Sequence, residues 1–130
     1  MPTFSAKSIE RLKTCDERLQ RVFAEVVKHR DCTVLCGHRS EADQTQAVKD
    51  GVSKTPWPKS KHNSAPSMAA DVAPYPIDWK DKERYTHFAG FVLGVAASLG
   101  IKLRWGGDWA LDGTPSNDVF YDGPHFEVIE

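Results

Sequence analysis

The segment 60-SKHNSAPSMAADVAP-74 sets a histidine and an aspartate nine positions apart, His62 and Asp71, among prolines and small residues. A second segment, 122-DGPHFE-127, supplies His125 and, three residues before it, Asp122. Two imidazoles and one carboxylate form the ligand set of a catalytic zinc site, because three protein atoms leave the fourth tetrahedral position open. Such an ion lowers the pKa of water to about 7 and polarises a carbonyl, and a nearby carboxylate accepts the water's proton. Asp122 suits that base role: the Gly-Pro bend before His125 can fold its carboxylate back toward the imidazole. Spacing alone leaves two readings open. A chain with five histidines and eighteen acidic residues contains such triples without any metal, and Asp before Gly-Pro is also ordinary turn chemistry.

The elements that must position these residues follow from periodicity and punctuation. Residues 8–29 read as one amphipathic helix, with Ile9, Leu12, Cys15, Leu19, Val22, Phe23 and Val26 at steps of three and four. A short buried strand, 32-CTVLC-36, leads through Arg39 into a helix over 40–51. Ser40 is placed to cap that helix, Asp43 sits at the capping-box position, and Gly51 can take the left-handed turn at its end. Arg39 thus stands at a strand-to-helix corner. A polar loop, 52–67, runs into the strand 68-MAADVA-73, which Pro74 and Pro76 end. Residues 81–99 form a second long helix, with Phe88, Phe91, Val92, Val95 and Leu99 inward and Gly100 as its stop. Gly90 and Gly94 leave room there for a close neighbour. The alternation of 101-IKLRW-105 is that of a half-buried strand, and 125-HFEVI-129 is the last strand, entered through the turn 121-YDGP-124. The expected fold is α+β, a short antiparallel sheet with helices packed on one side, as a single domain over residues 1–130.

Composition narrows the function. A net charge of −1 gives no basic excess for a nucleic-acid binder, and lysines cluster only mildly at Lys54, Lys59 and Lys61. The N-terminal MPTFSAKSIERLK lacks the apolar core of a secretory signal, and 88-FAGFVLGVAASLG-100 is too short to span a membrane. The expectation is a protein made in a cytoplasm. Cys15, Cys32 and Cys36 have no framework spacing and read as reduced, mostly buried thiols.

The stretches 60-SKH-62, 69-AADVAP-74, 104-RWGGDW-109 and 122-DGPHFE-127, in that order, resemble the LAS zinc metallopeptidases. That family includes D-alanyl-D-alanine dipeptidases and carboxypeptidases, hedgehog signalling domains, and the L-alanyl-D-glutamate peptidases of phage endolysins. The resemblance runs from 36-CGHRSEADQ-44 to the C-terminus, and its wording is most similar to the endolysin branch. It implies a hedgehog/D-Ala-D-Ala peptidase-like fold with zinc held by His62, Asp71 and His125. It makes Asp122 the general base, where many relatives carry Glu. It makes Arg39 the residue that steadies the developing oxyanion, and Ser60 a residue lining the substrate cleft. The step from the first histidine to the aspartate is two residues longer than in many members. The implied function is hydrolysis of the L-alanyl-D-glutamate bond of bacterial peptidoglycan. The implied setting is a monomer made in the host bacterial cytoplasm, with a holin-like partner giving access to the wall.

Two rivals remain at this level: a D-alanyl-D-alanine carboxypeptidase on the same scaffold, and a non-catalytic zinc-stabilised wall-binding module. Asp122 speaks against the second, which has no use for a base. Glu127 either orients His125 from behind or is an ordinary edge charge. Trp105 and Trp109 either wall the cleft or fill the core. His29, His38 and His87 carry no spacing signal.

Overall fold

The computed structural model describes residues 2–111, 113 and 121–129. Its elements run α1 (Ala6–Leu12), α2 (Glu17–His29), β1 (Cys32–Cys36), α3 (Glu41–Lys49), β2 (Ala69–Pro74), α4 (Lys82–Ser98), β3 (Leu103–Trp105) and β4 (His125–Val128). A 3-10 turn at Lys61–Asn63 lies between α3 and β2. The architecture is the α+β one expected, with a wholly antiparallel sheet in the order β1-β2-β4-β3.

The first helical stretch is two helices. Its apolar steps continue straight through residues 14–16, but the backbone there leaves the helix. Cys15 forms an isolated parallel bridge with Ser67; Asp16 N donates to Ser67 O at 2.8 Å and Ser67 N to Thr14 O at 2.9 Å. Asp16 then caps α2, its Oδ1 accepting from Arg18 N at 2.9 Å, which satisfies one of the orphan donors of the new first turn. The break ties the helical layer to the entrance of β2. Helix α3 begins as expected with Ser40, whose Oγ accepts from Asp43 N at 3.2 Å, and Gly51 follows it at φ +76°. Gly90 and Gly94 differ from expectation. A Cβ at either would meet nothing within 4 Å, so they face outward and no element packs on them.

Strand alternation divides the sheet into two unlike faces. Val34, Ala70, Val72, Leu103, Trp105, Phe126 and Val128 belong to the apolar core with α2 and α4. Phe126 sits edge-on to Phe23 of α2, with centroids 5.6 Å apart, and to Phe88 of α4 at 6.2 Å. Burial of one such ring contributes roughly 1.5–3 kcal/mol, and each aromatic pair about 0.5–1.5 more. The opposite face carries Asp71, Arg104, His125 and Glu127, brought level because Asp71 pairs with His125 and Arg104 with Glu127. At the β1 edge the register slips between Val34 and Cys36, so Cys36 rather than Leu35 lies opposite Asp71. This bulge turns the Cys36 side toward the polar face. The edge strand β1 is blunted by α1: Ser8 Oγ accepts from Val34 N and Arg11 Nη1 donates to Val34 O, each at 3.0 Å.

Candidate metal centre and active site

His62, Asp71 and His125 converge, although each comes from a different element. His62 Nε2 lies 3.2 Å from Asp71 Oδ1, His125 Nδ1 lies 3.3 Å from the same oxygen, and the two imidazole nitrogens are 3.3 Å apart. Ligands on a tetrahedral ion with bonds of about 2.0–2.1 Å stand about 3.3–3.4 Å from one another. The triangle fits.

The outer hydrogen bonds decide which atoms face inward. His62 Nδ1 donates to Gly37 O at 2.8 Å, which leaves the lone pair on Nε2. His125 Nε2 donates to Glu127 Oε1 at 2.8 Å, which leaves the lone pair on Nδ1. Asp71 Oδ1, buried between them, has no hydrogen-bond partner of good geometry despite those short separations. Three electron pairs therefore point at one another. Such a set is stable only around a cation, either protons or a metal ion. The titration behaviour says the same. Burial works against a charge on His62, but the Asp71 carboxylate outweighs it and lifts the imidazole to about 10. Burial pushes Asp71 up as well, yet the two imidazoles hold it far below the ordinary carboxylate range.

Among the described residues, two further groups of metal-ligand types overlap the triangle, with donor atoms within 4.8 Å of one another: Cys36 with His62 and Asp71, and Asp71 with Asp122 and His125. The contact of Cys36 Sγ with His62 is to Nδ1, at 4.0 Å, and that nitrogen is already committed to Gly37 O. The thiol thus approaches His62 from behind the triangle.

Each partner is held by a local device. The turn bearing His62 is closed by a reciprocal cap, in which Ser60 Oγ accepts from His62 N at 3.2 Å and Asn63 Oδ1 accepts from Ser60 N at 3.0 Å. Ser60 also lines the cleft. Gly37 must be glycine, because a Cβ there would fall 2.2 Å from Thr14 Oγ1 and 2.4 Å from Arg11 O. Glu127 anchors His125 and in turn accepts from Arg104 Nη2 at 2.7 Å. Burial alone would raise Glu127, but bonds from His125 and Arg104 outweigh it and bring the carboxyl down to about 2.

Asp122 lies beside the triangle, its Oδ2 4.0 Å from His125 Nδ1. Gly106 makes that position possible: Asp122 N donates to Gly106 O and Gly106 N to His125 O, both at 2.8 Å. A Cβ on Gly106 would stand 2.2 Å from Asp122 O. Burial first, and then the charge of Asp71, raise Asp122 to about 6, in the range of a working general base. Arg39 is buried, with Nη2 3.3 Å from Asp71 Oδ2 and Nη1 3.0 Å from Gln44 Oε1. Gln44 was not singled out by sequence. It is wholly buried and also donates to Thr55 O at 2.6 Å and Ser53 Oγ at 2.9 Å, so it joins Arg39 to the 52–63 loop.

Trp109 and Trp105 divide. Trp109 lies over His125, with centroids 5.1 Å apart, and lines the cleft. Trp105 is core, its Nε1 donating to Gly123 O at 2.7 Å. His29 and His38 are exposed, bonded to Glu25 and to Ser64 O, and His87 is exposed too. All three cysteines are free, and burial pushes Cys15 and Cys32 up to about 12. No helix among the described residues is long and apolar enough to cross a membrane.

The site opens on two clefts that meet at Arg39, Val52 and Asp122. One, of about 280 Å³, is rimmed by Lys54, Lys59, Lys61 and Arg104. The other, of about 610 Å³, is walled by Leu35, Trp79, Tyr85, Tyr121 and Pro124.

An antiparallel α+β scaffold with a buried histidine–carboxylate cluster at the junction of two clefts offers a metal ion a set of donors beside space for a substrate. The model of one family, the phage L-alanyl-D-glutamate peptidases, matches residues 2–129, and the chain belongs to that family. It is an L-alanyl-D-glutamate peptidase. The L-alanyl-D-glutamate peptidase of Escherichia phage T5 is 33% identical over 135 residues, covering 97% of both chains. The Serratia marcescens L-Ala D-Glu endopeptidase ChiX has a similar structure, with a TM-score of 0.75 and 29% identity. That likeness covers 98% of this chain and 90% of the other.

Proposed function

We propose that the chain, acting as one catalytic domain, is a zinc endopeptidase that cuts the L-alanyl-D-glutamate bond of the peptidoglycan stem, in the manner of a phage lysis enzyme. The observation that carries the zinc assignment is the triangle of inward lone pairs on His62, Asp71 and His125. Zinc held there supplies a Lewis acid, which polarises a carbonyl and acidifies water. Asp122 takes the proton of the attacking water and returns it to the leaving amine. Arg39 faces both clefts and places its guanidinium charge beside the developing oxyanion. Glu127 and Gly37 O hold the two imidazoles in the tautomers that point inward. Ser60 keeps the His62 turn closed and borders the substrate. The chain works as a monomer and reaches the wall through a holin-like partner.

Purified peptidoglycan digested with the protein tests this reading. The expected products have new L-alanine C-termini and new D-glutamate N-termini, with one zinc per chain by elemental analysis. Released D-alanine, with the stem still on its glycan, establishes a carboxypeptidase instead. Bound zinc with no product from any wall type establishes a binding module.

A further inference from the structure

The two clefts differ in chemistry, and so do the two ends of the substrate. The basic cleft carries Lys54, Lys59, Lys61 and Arg104. Among the described residues the lining of the larger cleft has one basic residue, Arg39 at the junction, with Lys82 capping the Tyr121 ring 4.6 Å from its centroid. In it, Trp79 is 63% exposed and stacks on Tyr85, with centroids 6.3 Å apart and planes 19° apart. Tyr85 itself is buried beneath that indole, so the outer face of Trp79 is the aromatic surface the cleft offers. On the D-glutamate side of the scissile bond the stem is anionic, because the chain continues through the γ-carboxyl and leaves the α-carboxylate free. On the L-alanine side it is neutral: one alanine and one lactyl unit join it to an N-acetylmuramyl sugar. Each unit spans about 3.3–3.6 Å, so that sugar lies about 7–10 Å from the reacting carbonyl, within reach of a cleft that shares Asp122 with the site.

We propose that the aromatic cleft is a glycan subsite. The N-acetylmuramyl ring lies with its C–H face on the exposed indole of Trp79, which Tyr85 backs from the core side. This orients the substrate with L-alanine toward the aromatic cleft and the D-glutamate carboxylate toward the lysines. The subsite rests on the peptidoglycan reading above.

The test uses the zinc-loaded protein and two substrates with one identical stem peptide. One bears the N-acetylglucosaminyl–N-acetylmuramyl disaccharide, and the other an N-acetyl cap on L-alanine, which keeps that end neutral. The expected kcat/KM is about three- to tenfold higher on the glycan substrate, mainly through KM. Trp79→Ala brings the ratio of the two close to one, Trp79→Phe restores most of it, and the peptide-free disaccharide inhibits the wild type but not Trp79→Ala. A ratio that Trp79→Ala leaves unchanged, or an equal loss on both substrates, overturns the subsite. So does a Trp79 effect that follows the length of the stem beyond D-glutamate, which would seat the distal stem in this cleft. Cleavage between L-alanine and D-glutamate without glycan preference overturns the subsite alone; no cleavage there on either substrate removes the peptidase reading and the subsite with it.

Discussion

His125 and Phe126 are neighbours on β4 and point to opposite faces of one sheet, and they show how this fold divides its labour. Phe126 is fully buried among α2, α4 and the apolar residues of β2 and β3. Its surroundings ask only for volume and shape. His125 is nearly as buried, but it is ringed by Asp71, His62, Glu127 and Asp122, and its surroundings ask for one tautomer and one direction. Strand alternation lets four residues of β4 serve both demands. The core face fixes the strand, and the strand fixes the donors. Damage on one face should therefore cost folding, and damage on the other should cost metal and chemistry.

The strongest break in that comparison is His125→Ala. It should abolish turnover and leave the purified protein without stoichiometric metal, because only two of the three proposed donors remain. Zinc at a hundred times its dissociation constant adds about 2.7 kcal/mol to the stability of a protein that binds it only when folded. Thermal melts with and without chelator should show that increment in the wild type and lose it in His125→Ala. A melt that still responds to zinc would move the site elsewhere.

Asp122→Asn should separate chemistry from binding on the polar face itself. Metal content stays stoichiometric and turnover falls by roughly 10² to 10⁴ if Asp122 carries the proton. Loss of metal matching that of His125→Ala would make Asp122 a ligand, in line with its grouping with Asp71 and His125.

Phe126→Ala is the counterpart on the core face. Chemical denaturation should show a loss of about 3–5 kcal/mol, typical of a large buried ring removed from a packed core. At temperatures where the variant is folded, zinc should still raise its melting point. If Phe126→Ala instead lost zinc while keeping its stability, the two faces would not be separable.

The faces were unequally legible in sequence, for physical reasons. Apolar alternation announces a core face, since any residue of suitable size satisfies it, and the strands and the antiparallel sheet followed. The same tolerance hid the break at Thr14–Asp16: the spacing of Leu12, Cys15 and Leu19 satisfies a continuous helix, and only the tertiary bridge from Cys15 to Ser67 opens it. On the polar face, residue types and motif order pointed to His62, Asp71, His125 and Asp122 as neighbours. Their supports were harder to read. Gly37 serves through a carbonyl, which carries no side-chain signature. Arg104 meets Glu127 only through the β3–β4 register. Gln44 reads as one more polar residue of a short helix, yet it is buried and bonded to Arg39, Asn63, Ser53 and Thr55.

The finest test lies in Glu127, which shares His125's face but touches no other member of the triangle. Its carboxylate accepts the Nε2–H hydrogen bond of His125, and that bond, followed by those of Arg104, holds it ionised. Glu127→Gln keeps the size and an acceptor oxygen, but removes the charge that makes the imidazole a stronger donor to metal. Substitutions at such supporting positions cost about 10- to 100-fold in metal affinity or activity, so chelator competition should show a loss in that range. Arg104→Gln leaves the Glu127–His125 bond in place and should cost less, because its partly exposed guanidinium only steadies the carboxylate from the solvent side. If both variants hold metal as tightly as the wild type, Glu127 is an edge charge and His125 is oriented by strand packing alone. If Glu127→Gln lost metal outright, the carboxylate would belong to the donor set, and the division between the triangle and its supports would have to be redrawn.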